Sequence, residues 1–417
     1  MSTFREPSAA LRSIEDWLAS LNGRGRIGAL LARDPAEQDD RGFLHTLREI
    51  CQQPVTWVET ASGVSEQASV IDDALAAGIP DGHGAMVLTG SGSSLYVGDC
   101  LALPLQEALR VPVSALPAGL LLIRPEGCLP PKGPFLVVSF GRSGDSPESR
   151  AVVESLIDAW PLSRHLAITC NAKGALATAY RSSPRFGAIV LDETTHDRSL
   201  VMTSSFTNLV LAGRALAMTP RSTAYRERAE RTARAAAEVL SESGDALADV
   251  AESPFGSAVY LASGCRVGSA RESALKMLEM NAGRLFAHAE SYLGLRHGPM
   301  SAVHRDTLVV AFLSTDPLAR AYELDLLNEL DRKSIGARKV IVGAGVPAGI
   351  AARPGDLVVE CGVANALEDE DLCLVDALVG QLLAFFRCLH AGLRPDSPSD
   401  AGIINRVVQS FAIHKPS

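Results

Sequence analysis

Five serines and an arginine fall in two short glycine-bearing stretches, a composition suited to cradling a phosphate. Ser91, Ser93 and Ser94 lie in Thr89-Gly90-Ser91-Gly92-Ser93-Ser94. Arg142, Ser143 and Ser146 lie in Gly141-Arg142-Ser143-Gly144-Asp145-Ser146-Pro147-Glu148. Glycine lets the backbone approach an anion, and N–H groups and hydroxyls then donate to it. The plain alternative for each stretch is an ordinary strand-to-helix turn. Two such stretches in consecutive units favour phosphate. A dinucleotide fits less well: Gly90 to Leu95 lacks the third glycine of G-x-G-x-x-G, and Arg110 stands where a ribose-binding acid is expected. No G-x-x-x-x-G-K-[ST] sequence supports a nucleoside triphosphate.

A second group lies further along. Glu272, Lys276 and Glu279 recur at i, i+4 and i+7, so a helix would carry them on one face. Spacing alone suits an exposed salt-bridge ladder. Their neighbours Ala274, Leu275, Met277, Leu278 and Met280 make the helix largely apolar, which suits charges lining a cleft. His297 follows in Arg296-His297-Gly298-Pro299, a rigid turn rather than a helix. Histidine titrates near neutrality and is a common proton carrier, although a lone histidine is more often just a surface or core residue.

These residues need a frame. Apolar runs at Ala85–Leu88, Leu136–Phe140, His165–Thr169 and Ala188–Leu191 alternate with helix-compatible sequence, which predicts a parallel sheet covered on both faces. The order restarts at Ala258–Ala262, Leu308–Leu313, Lys339–Val342 and Asp356–Val359, suggesting an internal duplication. Ser314-Thr315-Asp316-Pro317 stands in the second half where the glycine-bearing stretch 141–147 stood in the first. One working phosphate site per chain is therefore expected.

The chain has 417 residues, a net charge of −9, 47% hydrophobic and 21% charged residues. These are globular values, and the acidic balance argues against nucleic acid or an anionic membrane as partner. No apolar run reaches the roughly 18 residues of a membrane span, and the start lacks a signal-peptide core. The eight cysteines show no C-x-x-C pair, which suits reduced thiols in a cytoplasmic protein. No metal-ligand spacing occurs, so neither metal nor cofactor is expected.

At these motifs the chain resembles proteins with paired sugar-isomerase (SIS) domains. They carry Ser/Gly phosphate loops in the first half, then an E-x-A-L-K-x-x-E helix and an HGP turn in the second. More closely it resembles the bacterial galactosamine-6-phosphate deaminase/isomerase family, also labelled tagatose-6-phosphate ketose/aldose isomerase (AgaS-type). The matching stretches are SFGRSGDSPES (139–149), THDRSLVMTSSFT (195–207), ARESALKMLEMNAGRL (270–285), LRHGPMS (295–301) and PDSPSDAGIINRVVQ (395–409). The chain departs from the family at Met300, usually Lys, and at Tyr292-Leu293, usually Pro-Thr.

The resemblance implies an α/β fold: two tandem doubly wound parallel-sheet domains, flavodoxin-like and three-layered, behind an N-terminal helical extension. The expected divisions are 1–80 helical, 81–222 phosphate-binding, 223–253 connector, 254–393 catalytic, and 394–417 a tail closing on the site. By similarity to the isomerase domain of glucosamine-6-phosphate synthase, Glu279 would move a proton between C1 and C2. His297 would assist ring opening, reaching the site from a neighbouring subunit of a homodimer or dimer of dimers. Lys276 and Glu272 match charged site residues. Ser93, Ser94, Arg142, Ser143 and Ser146 match the phosphate cradle, with Ser91 beside it. Thr203, Ser204 and Ser205 match a segment approaching the sugar. The synthase's tail lysine has no counterpart, and Arg406 and Gln409 are the candidates here. The implied reaction yields tagatose 6-phosphate and ammonia from galactosamine 6-phosphate. A plain aldose/ketose isomerase or transferase, or a non-catalytic sugar-phosphate sensor, are the alternatives.

Overall fold

A computed structural model describes residues 11, 13–218, 220–350, 353–362, 366–399, 402–408 and 411–414. The chain forms two compact units. One comprises Thr56–Asp197, Ser204–Ala229 and the tail from Gly402. The other comprises the residues up to Val55, Arg198–Thr203, and the stretch from Glu230 to the start of that tail. The helices before residue 80 are thus divided between the units at Val55, and the tail at Gly402.

The first unit holds strands β1 (Ala85–Gly90), β2 (Val113–Pro117), β3 (Phe135–Gly141), β4 (Ser163–Thr169) and β5 (Phe186–Val190). All pair in parallel in the order β2-β1-β3-β4-β5. This is the doubly wound flavodoxin-like order, in which ligands bind beyond the carboxyl ends of the strands. The central strands read as unbroken apolar runs because helices cover both faces. On one face Val87 and Val137 pack with Val152 and Leu156 of α2 (Pro147–Ala159). On the other lies α1 (Ser93–Leu109), where Gly98 allows close approach: a Cβ there would stand 3.2 Å from that of Leu88. Helix α3 (Ser204–Arg214) is entirely buried.

The second unit repeats the order. Strands β6 (Ser257–Ala262), β7 (Phe286–Ser291), β8 (Thr307–Phe312), β9 (Arg338–Gly343) and β10 (Leu357–Glu360) pair as β10-β9-β8-β6-β7, again all parallel. Helix α4 (Arg266–Met280) follows β6. Short helix α5 (Tyr292–Leu295) follows β7, and α6 (Pro317–Lys333) follows β8. One face of the sheet packs Val259, Leu261, Val309 and Ile341 against Tyr292, Leu326 and Leu330.

Helix α7 (Asp369–His390) packs along α4 so closely that a Cβ at Gly380 would lie 2.1 Å from Ser273 Oγ. By composition α7 is long and apolar enough to cross a membrane, with a mean hydropathy of 1.9. Its buried polar groups mark it as a core helix. Gln381 accepts from Gln53 Nε2 at 2.7 Å and donates to the Thr203 carbonyl at 3.1 Å, and Asp376 pairs with Arg266. None of the eight cysteines forms a disulfide, and all but Cys128 are buried.

Candidate active-site elements

In the first unit the two Ser/Gly stretches sit where the sequence placed them, at the carboxyl ends of β1 and β3. Gly92 adopts φ 57°, ψ −129°, a conformation that side-chain-bearing residues avoid, and starts α1 with Ser93 and Ser94 buried in its first turn. Gly144, at φ 68°, makes the second turn. Ser146 caps α2, donating to Ser149 Oγ at 2.7 Å and accepting from Ser149 N at 3.4 Å. Its hydroxyl proton is thus spent within the protein. Ser143 Oγ accepts from Asp145 N at 3.2 Å, and its carbonyl accepts from Asn171 Nδ2 at 2.9 Å. Arg142 is 7% exposed and donates to the carbonyl of Arg406. Arg406 in turn donates from Nε to the Asp197 carbonyl at 2.9 Å. The tail is thereby tied to the arginine of the second Ser/Gly stretch. Gln409 lies outside the described residues.

Ser204 and Ser205 are fully buried at the start of α3. Asn208 Nδ2 donates to Ser204 Oγ at 3.1 Å, while Asp197 Oδ2 accepts the Ser205 hydroxyl and its N–H, the latter at 3.0 Å. Thr203 is also buried and belongs to the other unit. Asp197 was not singled out from the sequence. An acid eight residues before a buried hydroxyl-rich helix start was the available signal, because a carboxylate there satisfies exposed N–H groups.

In the second unit, Glu272, Lys276 and Glu279 lie along α4. Lys276 Nζ is 3.3 Å from Glu272 Oε1 and donates to Glu279 Oε2. The Lys276 and Glu272 side chains are sealed from water, whereas that of Glu279 is 23% exposed. The exposed-ladder alternative therefore fails for the inner pair. Burial alone would lower the proton affinity of Lys276, but Glu272 and then Glu279 outweigh it and raise the pKa above the usual value. The arrangement is a buried ion pair presenting one partly exposed carboxylate.

His297 is exposed, on the turn after α5. Ser291 caps α5 by accepting from Gly294 N at 3.0 Å, and Gly298 at φ 123° lets the chain turn into Pro299. Next to the histidine, Arg296 and Lys333 both donate to Glu329, at 2.7 and 2.6 Å. The His297 ring makes no hydrogen bond among the described residues. The structure thus places it near in sequence to the α4 cluster without bonding it to that cluster.

The second sheet also has counterparts of the two Ser/Gly stretches, with their donors engaged from within. Gly264, at φ 57°, corresponds to Gly92. Arg266 stands where serine stood and forks onto Asp376 at 2.7 and 2.6 Å. After β8, Thr315 N donates to Asp369 at 2.7 Å, and Ser314 N donates to Glu323 at 2.8 Å. Own carboxylates take the donors that a phosphate would need. No group of His, Cys, Asp and Glu with metal-binding geometry occurs among the described residues.

Two sheets of this order, one with the Ser/Gly loops and one with the Glu-Lys-Glu helix, define a tandem SIS-type sugar-isomerase architecture. The chain belongs to the AgaS family of D-galactosamine-6-phosphate deaminases. It is 37% identical over 372 residues to D-galactosamine-6-phosphate deaminase AgaS of Escherichia coli O157:H7, covering 88% of this chain and 95% of that protein. The crystal structure of tagatose-6-phosphate ketose/aldose isomerase from Escherichia coli superposes with a TM-score of 0.78 at 35% identity, over 84% of this chain and 95% of that one. The C-terminal domain of a Francisella tularensis glucosamine-fructose-6-phosphate aminotransferase shares the fold, with a TM-score of 0.69 at 18% identity, over 85% of this chain and 98% of that one. No family model matches the chain.

Proposed function

We propose that the chain converts galactosamine 6-phosphate to tagatose 6-phosphate and ammonia. The observation that carries the chemistry is the partly exposed Glu279 carboxylate, held by a lysine that is itself buried against Glu272. Family membership supports the substrate. The phosphate is assigned to the loops of the first sheet, where Ser93, Ser94, Arg142 and Ser143 lie.

The sugar ring opens with proton help from His297. Glu279 then takes the C2 proton and returns it to C1, while one proton of the C2 amine ends on the aldehyde oxygen, so that the aldehyde becomes an alcohol and the amine an imine. Water adds to that imine, and the carbon–nitrogen bond breaks to release ammonia and leave the C2 ketone. A single carboxylate can serve both carbons because they are adjacent. Lys276 positions that carboxylate and offers positive charge to the oxyanion that develops in between. The exposed and unbonded ring of His297 accords with a homodimer in which it serves a neighbouring subunit. Eight cysteines that form no disulfide accord with a cytoplasmic enzyme.

Ammonia release from galactosamine 6-phosphate and from glucosamine 6-phosphate is the test. Release from the galacto sugar alone supports the full reading, and release from the gluco sugar alone keeps the chemistry and changes the epimer. Ketose formation without ammonia would favour a plain isomerase, the activity for which the solved Escherichia coli relative is named.

A further inference from the structure

The segment between β5 and α3 carries a side chain that the reaction above leaves unused. The Thr195 hydroxyl donates to the Asp192 carbonyl at 2.7 Å, and the side chain also hydrogen-bonds the Cys170 thiol. Cys170 N donates to the Gly141 carbonyl at 3.4 Å, immediately before Arg142. The segment is therefore pinned at the carboxyl ends of β3 and β4, beside the second Ser/Gly loop. The next residue, His196, is half-buried. Its Nε2 is shielded from solvent and has no hydrogen-bond partner among the described residues. Proteins seldom leave a buried polar atom unmet unless something else meets it.

The charged groups facing this imidazole are Arg406, Arg142, Asp197 and Glu193. Arg142 and Arg406 are linked through the Arg406 carbonyl, and Arg406 is linked to Asp197. Two guanidiniums, one of them on the second glycine-bearing loop, thus lie within electrostatic reach of the imidazole.

We propose that His196 is a ligand-contacting residue of the first-sheet anion site, its Nε2 donating to an oxygen of the bound sugar phosphate. This rests on the reading of that site as the phosphate cradle. Burial, then Arg406 and Arg142, hold the imidazole below its ordinary pKa, with Asp197 and Glu193 opposing. A doubly charged oxyanion reverses that balance, so its binding is accompanied by proton uptake on His196.

Inorganic sulfate is the suitable probe, because it stays doubly charged where a phosphate monoester titrates, at about pH 6. Sulfate affinity of the full chain would be measured by calorimetry at about pH 6 and about pH 8, for the parent, His196→Gln and His196→Asn. The expected result is binding several-fold tighter at the lower pH in the parent, and weaker, pH-independent binding in both variants. A merely structural histidine would not move the pH dependence of binding in variants that keep the parent's melting temperature. Parental pH dependence retained in either folded variant overturns the proposal and leaves the phosphate cradle standing, as does pH-independent binding by the parent. Absence of sulfate binding by the parent at both pH values overturns the cradle reading and the proposal together.

Discussion

Lys276 Nζ stands 3.3 Å from Glu272 Oε1, and neither side chain is open to water. Each charge tolerates its burial because the other is there. Lys276→Met strands a carboxylate in the core, and a broken buried pair costs about 3–5 kcal/mol. Urea denaturation should show a loss of that size. Adding Glu272→Gln to Lys276→Met should restore part of it, because both charges are then gone. A single variant as stable as the parent would show that the pair does not hold α4 in place.

Glu279 is the exposed end of that cluster. Glu279→Gln keeps its shape and removes the base. Turnover should fall by about 10²–10⁴, with the melting temperature and the affinity for a non-reacting sugar-alcohol phosphate nearly unchanged. Near-parental activity would exclude Glu279 from the proton transfer.

Arg406 should act through the substrate's phosphate end. Arg406→Ala removes the bonds to the Asp197 carbonyl while deleting no core side chain. KM should rise severalfold with kcat less affected, and stability should change by less than about 1 kcal/mol. An unchanged KM would separate the tail from the anion site.

Acid should weaken the first unit through His165. Burial, with Arg185 and Arg164 nearby, pushes its pKa down to about 3. The unfolded histidine titrates at about 6.5. Above that value both states are neutral and the residue has no effect. As pH falls below it, the unfolded chain takes up a proton that the folded chain refuses, so stability declines by up to about 1.4 kcal/mol per pH unit. His165→Gln should show a shallower loss of stability between about pH 6 and about pH 4 than the parent. Identical slopes would mean that His165 is not the group responsible.

The strands visible in the sequence were those whose burial left a continuous apolar run, such as Thr307-Leu308-Val309-Val310-Ala311-Phe312. Strands β2 and β7 were missed, and they occupy the same edge of their respective sheets. Each has one neighbour and is only partly covered, so Val113-Ser114-Ala115-Leu116-Pro117 and Phe286-Ala287-His288-Ala289-Glu290-Ser291 carry no such run. Helical spacing revealed that Glu272, Lys276 and Glu279 share a face, but the burial of two of them is a matter of tertiary packing that spacing does not carry. His196 and Asp197 gave still less warning, because their surroundings are made by Arg142 and Arg406, which are remote in the chain.

The filled loops of the second sheet bear on inhibition. Asp369, Glu323 and Asp376 already occupy the donors that free phosphate would seek there. If the first-sheet loops hold the substrate's phosphate, as proposed, inorganic phosphate should compete with substrate there alone, with a simple hyperbola per polypeptide. On that reading the repeated strand order carries no repeated sensitivity to the ion.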